Sequence, residues 1–386
     1  MRRVLIALLL TMSAAGSGVA GTWRVEQDGS GQFTTLQPAV DAAASGDTIL
    51  IGPGWYQELH WVDHYGSPIQ VAAYWMDDRE LVFVGAGFDQ VTIGPLSYSP
   101  YRDGPVGIYH ERSGGWTIDV SGLRFVNLYN GVRGANVRAK YSVFEGGRDG
   151  VAVPGGGGGS SIVDHCAFIN QSNSSCLFFS AGTAEVSSCE LGAYVYFGDT
   201  ANGIVRNSTA NGRSLCYYYN SGGLIESNQA DCLTGSSALI GVAVDGGSNV
   251  MIRDNTIRGG YSGLTVADAG TTVHLEGNLF EGHDYHNIQL KRGATLIASG
   301  NDFHKTAGID RYLVWCYDYI GGKPLVIAME NNFWGYPYAD LIDRAIWDHN
   351  DDPNLMVLID YDPFAGGSVP AKPESWGSLK AMFRDR

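Results

Sequence analysis

Val163-Asp-His-Cys166-Ala-Phe168 returns as Val186-Ser-Ser-Cys189-Glu-Leu191, then as Val205-Arg-Asn-Ser208-Thr-Ala210 and Ile225-Glu-Ser-Asn228-Gln-Ala230. Ile252-Arg-Asp-Asn255-Thr-Ile257 and Leu275-Glu-Gly-Asn278-Leu-Phe280 continue the series. Each copy reads aliphatic, two polar or small residues, a small or amide residue, any residue, then an apolar one. Looser copies are Leu123-Arg-Phe125, Ser142-Val-Phe144, Asn301-Asp-Phe303 and Asn331-Asn-Phe333. The steps between the apolar landmarks are 19, 24, 23, 19, 20, 27, 23, 23 and 30 residues. Between landmarks lies a second apolar alternation: Val151/Val153, Leu177/Phe179, Val195/Phe197, Val242/Val244, Leu264/Val266 and Ile288/Leu290. Alternation with period two marks strands, because successive side chains leave a strand on opposite faces. Gly, Asn and Ser clusters between the runs mark turns. A leucine-rich horseshoe would need a dense leucine signature, and a propeller blade a longer period. The pattern therefore reads as all-β, a single-stranded right-handed parallel β-helix, the hand following from the crossover rule for parallel strands.

In such a solenoid, equivalent residues stack one strand spacing apart, about 4.8 Å. Asn228, Asn255, Asn278, Asn301 and Asn331 are expected to form one such column, their amides bonding along the stack. Raw solenoid ends invite pairing with other chains, so caps are expected. Thr35–Ala44 places Leu36, Val40 and Ala43 on one helical face, and Asp340–Trp347 has Leu341, Ile342, Ala345 and Ile346 apolar. Val357–Asp360 reads as a closing strand. The start is a different kind of segment. Arg2 and Arg3, the apolar run Val4–Leu10 and the small residues ending at Ala20 have the form of a secretory signal peptide. The expected layout is a signal peptide at 1–20, an N-terminal cap at 21–46 and a β-helix body at 47–335. A C-terminal cap at 336–364 follows, then a linker and tail at 365–386 with Trp376, Leu379 and Phe383 at helical spacing.

Forty acidic against 25 basic residues give a net charge of −15. That balance disfavours nucleic acid, whose phosphates need Lys and Arg. No stretch is apolar enough for a transmembrane helix, so a secreted or cell-surface protein, expected to be a monomer, is the reading. The six cysteines lack any C-x-x-C spacing. Cys166 and Cys189 share a column one coil apart, within the Cα range of a disulfide, and read either as a disulfide or as a stack of buried thiols.

Asp28-Gly-Ser-Gly-Gln-Phe-Thr-Thr-Leu-Gln37, Ala39–Ala43, Gly46-Asp-Thr-Ile49 and Pro53-Gly-Trp-Tyr56 resemble the entry segment of pectin-lyase-like β-helix proteins. Leu81–Gly87 looks like the second coil of that group. Asn331-Asn-Phe-Trp-Gly335, Asp348-His-Asn-Asp-Asp-Pro353 and Asp360-Tyr-Asp-Pro-Phe364 are similar to the closing segment of bacterial right-handed β-helix repeat proteins. The resemblance implies the fold; activity varies too widely across that superfamily to be carried over. The motifs of its esterases and polygalacturonases are not present. Val163-Asp-His-Cys166 resembles part of one lyase motif, but it also fits the ordinary repeat phrase.

With Leu177, Phe179, Val195 and Phe197 facing the core, period two sends Phe178, Tyr194 and Tyr196 outward, and Tyr218 follows in the next coil. Such a strip would stack on sugar faces; the alternatives are a covering loop or a register slip at Tyr217–Tyr219. The only stretch mixing His, carboxylate and basic groups holds Asp284, His286, Lys291 and Arg292, candidates for lyase acid–base chemistry. His60 and His64 on a strand would stand about 13 Å apart, too far for one zinc, so no metal site is expected there. Asp348, Asn350, Asp351, Asp352, Asp360 and Asp362 offer the oxygen ligands Ca²⁺ prefers; without EF-hand spacing they read as an acidic cap, and no cofactor is expected. The leading expectation is non-catalytic binding of a polysaccharide, cell-surface glycan or other extracellular partner. The alternatives are a lyase or hydrolase acting on acidic polysaccharide, and a structural surface repeat protein.

Overall fold

The computed structural model describes residues 20–97, 104–111, 114–155, 158–171, 175–232, 239–304, 311–320 and 325–366. Residues 1–19 of the expected signal peptide and 367–386 of the expected tail lie outside these. The described chain is a right-handed parallel β-helix. Each coil contributes one strand to each of three parallel sheets, as Ser160–Asp164, Ala167–Ile169 and Leu177–Phe179 do before Thr183–Ser187 begins the next coil. Strand order within each sheet simply follows the chain. We call these sheets 1, 2 and 3 in the order the chain visits them.

The corner between sheets 1 and 2 explains the recurring phrase. Tyr141, His165, Ser188, Asn207, Ser227 and Asp254 hold φ between 48° and 56° there, and Gly277 and Gly300 hold 66°. This left-handed residue reverses the chain sharply, a conformation that Gly, Asn and Asp adopt at least cost. The next residue points inward and bonds along the stack. Asn228 Nδ2 donates to Asn255 Oδ1 (3.0 Å), Asn255 Nδ2 to Asn278 Oδ1 (2.9 Å), and Asn278 Nδ2 to Asn301 Oδ1 (2.9 Å). Ser208 continues the column upstream: its backbone N–H donates to Asn228 Oδ1 at 2.9 Å. At the far end the ladder closes on Asn332, which accepts from Asn301 Nδ2 at 2.9 Å, and not on the expected Asn331. Asn331 has φ 59° and takes the left-handed corner position instead. The same one-residue shift brings Trp334, rather than Phe333, into the core against Phe303, with ring centroids 5.1 Å apart.

The core fills with rings stacked at the coil spacing. In sheet 2, Phe125, Phe144 and Phe168 lie 5.0 and 4.9 Å apart and within 7° of parallel. Where that column shrinks to Leu191 and Ala210, sheet 3 supplies Phe179, Phe197 and Tyr218. Total volume is thus kept while its source moves from one sheet to the other.

Both ends are covered. Helix α1, Leu36–Ala42, buries Leu36, Ala39 and Val40 over the first coil. The antiparallel hairpin His60–His64/Ser67–Trp75 forms the first edge of sheet 3. At the other end a helix was expected over Asp340–Trp347, but α2 is only Ala339–Asp343. Ile346 and Trp347 leave it to pair with Val314 and Trp315 as the last strand of sheet 3. Ladder bonds to an otherwise open edge outweigh three more helical residues. Val357–Asp360 pairs with Leu325–Ala328 in a separate two-stranded sheet.

Candidate functional site

The outer face of sheet 3 carries a column in register from coil to coil: Tyr74, Tyr109, Arg133, Ala152, Phe178, Tyr196 and Tyr217. Its middle is an aromatic ladder. Phe178 and Tyr196 stack with centroids 5.1 Å apart and planes within 3°, and Tyr217 follows at 5.4 Å. Tyr194 stands edge-on to Tyr217 at 6.4 Å. All four are half-buried, so part of each ring remains open to solvent. The Tyr217 hydroxyl donates to Asp245, 3.0 Å from Oδ2. Burial, and then the nearby Asp245 charge, push the Tyr217 pKa up, so the hydroxyl stays protonated as a donor.

Tyr218, expected in this strip, belongs to the core. Cys216 sits opposite Val195, so period two sends Cys216 and Tyr218 inward and Tyr217 outward. Tyr218 is fully buried, stacks on Phe197 at 4.8 Å, and donates its hydroxyl to Gly203 O at 3.1 Å. Gly203 admits the neighbouring rings because a Cβ there would meet the Phe197 ring at 2.2 Å.

The four acid–base candidates do not converge. His286 and Lys291 are the two ends of one strand, roughly 16 Å apart along it. His286 is buried, stacks on Trp315 at 4.8 Å and pairs Nδ1 with Tyr312 O at 3.1 Å. Burial pushes its pKa down to about 4. Lys291 Nζ lies 5.7 Å over the Tyr317 ring, and Arg292 Nε pairs with Asp268 at 2.5 Å. Asp284 stays with His286, where its backbone N–H donates to Gly260 O at 2.8 Å. The expected unit is therefore two separate pairs, each tied into the framework.

The remaining candidates resolve similarly. Cys166 and Cys189 are free, buried thiols and not a disulfide. Each points back to its own corner, Cys166 Sγ to Asp164 O at 3.4 Å and Cys189 Sγ to Ser187 O at 3.1 Å. Asp348 is buried and accepts from Asn350 N and Ile359 N, both at 2.8 Å, so its carboxylate braces the C-terminal cap. Among the described residues no three or more His, Cys, Asp or Glu side chains gather as a metal site. No described helix is long and apolar enough to cross a membrane.

A cluster that sequence reasoning missed sits at the N-terminal end of the same face, in a cavity of about 460 Å³. Glu111 accepts from the Tyr74 hydroxyl and lies 3.2 Å from His64 Nδ1. The Tyr109 hydroxyl is 3.0 Å from the same nitrogen. Arg133 stacks its guanidinium 5.4 Å over the Tyr109 ring. Burial raises the pKa of both tyrosines. Parity alone could have sent Tyr74 and Arg133 outward, since Ala73, Trp75 and Val132 are core residues. The long hairpin before Tyr74 hides which coil it joins, and so hides its neighbours.

Residues 187–303 match the family model described as right handed beta helix region. No curated protein and no solved structure matches the chain. The matched stretch contains Tyr196 and Tyr217 but begins after the last of the cavity residues, Gly155.

Proposed function

We propose that this is an exported, monomeric carbohydrate-binding protein whose ligand lies on the outer face of sheet 3. The observation that carries the reading is the Phe178–Tyr196–Tyr217 ladder, three half-buried rings in adjacent coils. A solvated sheet face normally carries polar side chains, and a stack of half-buried rings instead offers a continuous strip of apolar ring edges that can pack against the C–H faces of sugar rings. The coil rise of roughly 4.8 Å is close to the length of one sugar unit in an extended chain, so successive rings can meet successive units. Tyr217, Asp245 and Tyr194 supply polar edges beside the platform. Export is supported by Arg2, Arg3, the run Val4–Leu10 and the small residues to Ala20.

The test is retention of the purified protein on immobilised neutral and acidic polysaccharides, with Tyr196→Ala and Tyr217→Ala beside it. Retention on at least one polymer, lost in both variants while their circular dichroism is unchanged, is the expected result. Equal retention by the variants, or none on any polymer, overturns the reading.

A further inference from the structure

The cavity at the N-terminal end of sheet 3 is chemically unlike the ladder. Its lining includes His64, Tyr109, Glu111, Arg133, Pro154 and Gly155. Its charges are unevenly satisfied. Glu111 is tied to the Tyr74 hydroxyl and to His64. Arg133 is half-buried and rests on the Tyr109 ring, yet no described carboxylate stands within ion-pair distance of it, although seven other arginines have such a partner. Its buried Nε has no hydrogen-bond partner among the described residues. Asp149 acts on Arg133 only through longer-range attraction and Tyr109 by a side-chain hydrogen bond, so this half-buried guanidinium has no close anion to replace its lost hydration. In a chain of net charge −15, which repels anions at long range, such a group is unlike its surroundings.

The His64 ring adds a second recognition element. His64 Nδ1 lies 3.2 Å from Glu111 Oε1 and 3.0 Å from the Tyr109 hydroxyl, which leaves Nε2 as the ring's second hydrogen-bonding atom. When Nδ1 donates to the Glu111 carboxylate, Nε2 keeps its lone pair. In that state it can accept a hydrogen bond from a hydroxyl. Arg133 donates, in a planar fork that matches a carboxylate.

We propose that this cavity is a binding site for a hydroxycarboxylate, with Arg133 taking the carboxylate and His64 Nε2 accepting from a neighbouring hydroxyl. The site stands apart from the glycan reading of the ladder: Arg133 is separated from Tyr196 by Ala152 and Phe178. Its ligand is either a free sugar acid or the acidic unit of a longer chain. Both present the same pair of groups.

Calorimetric titration of the full chain with glucuronate, glucose and acetate tests this. Glucuronate is expected to bind roughly tenfold or more tightly than glucose, which lacks the carboxylate, or acetate, which lacks the hydroxyl. Arg133→Gln should remove that preference, and His64→Phe should weaken glucuronate towards acetate. Arg133 makes no close ion pair among the described residues, so the unliganded Arg133→Gln protein should keep the parent's circular dichroism spectrum and cooperative urea unfolding, which separates lost binding from lost folding. Tyr196→Ala should leave glucuronate binding unchanged, so failure of the ladder reading and failure of this one are distinguishable. Tighter binding of a glucuronate oligomer than of the monomer, reversed by Arg133→Gln, would identify a chain-borne acid; equal binding would identify a free one. Indifference to the carboxylate, or an Arg133→Gln protein that binds as the parent does, overturns the proposal.

Discussion

Asn278→Ala removes one rung of the internal amide ladder, and its cost follows from the partners left behind. The Asn278 amide nitrogen donates to Ile252 O at 2.9 Å, Glu276 O at 3.0 Å and Asn301 Oδ1 at 2.9 Å. Its oxygen accepts from Asn255 N at 3.0 Å and Asn255 Nδ2 at 2.9 Å. Asn301 Oδ1 keeps the Asn278 backbone N–H, and Asn255 Nδ2 keeps Ile225 O and Arg253 O. The Asn255 N–H and the Ile252 carbonyl lose the partners named here, in a region where Asn255 and Ile252 are buried. At about 1–3 kcal/mol for each buried orphan, the expected loss is roughly 2–6 kcal/mol. Asn278→Asp should cost at least as much, since a carboxylate presents no N–H to three acceptors and must be desolvated. The assay is urea unfolding followed by circular dichroism, with hydrogen exchange at the Asn255 amide. Solenoid coils interact mainly with their neighbours, so exchange should quicken first in the coils beside residue 278. Exposed Asn211→Ala is the comparison, expected within about 0.5 kcal/mol of the parent. A cost for Asn278→Ala no larger than for Asn211→Ala, or unchanged protection at Asn255, would refute the reasoning.

Three other outcomes are expected. His283 and His286 are buried and held down to about pKa 4, chiefly by desolvation, while the unfolded chain protonates them near 6.5. The unfolded state therefore binds more protons between those values, and stability is full above about pH 6.5 and falls as pH drops towards 4, by about 3 kcal/mol per histidine. Urea midpoints at pH 7 and pH 5 should converge in His286→Phe relative to the parent; an unchanged gap means that His286 is not responsible. Tyr218→Ala should cost about 3–5 kcal/mol by emptying a fully buried site, and the half-buried Tyr196→Ala distinctly less. Equal urea midpoints for the two would contradict the inward and outward assignments. All six thiols are buried, and burial pushes Cys189 up to about pKa 12, so the native protein should resist alkylation and take six labels in denaturant without reductant. A mass showing four labels would mean that a disulfide is present.

Periodicity made the solenoid legible because each coil meets the same constraint. An apolar residue must return inward at every strand, and an amide or small residue must fit the corner after a left-handed turn. That repetition placed Val163, Phe168, Asn228 and Asn278 correctly from the letters alone. It failed where two readings of the letters differ by one residue. Tyr217-Tyr-Tyr219 offers three rings in succession, and only pairing of Cys216 with Val195 decides which one faces solvent. Asn331-Asn332 offers two amides, and only the left-handed φ of the first decides which bonds along the stack. A one-residue shift moves every side chain of a strand to the other face, so these small ambiguities decide the surface completely.

The sequence by itself determined the β-helix, its coil length and most of its core, since those depend on local alternation repeated many times. The cavity of His64, Tyr109, Glu111 and Arg133 was decided only by tertiary structure. Its members come from a hairpin and two later coils, joined by turns of unequal length. No fixed spacing links them along the chain, and stacking in register alone makes them neighbours.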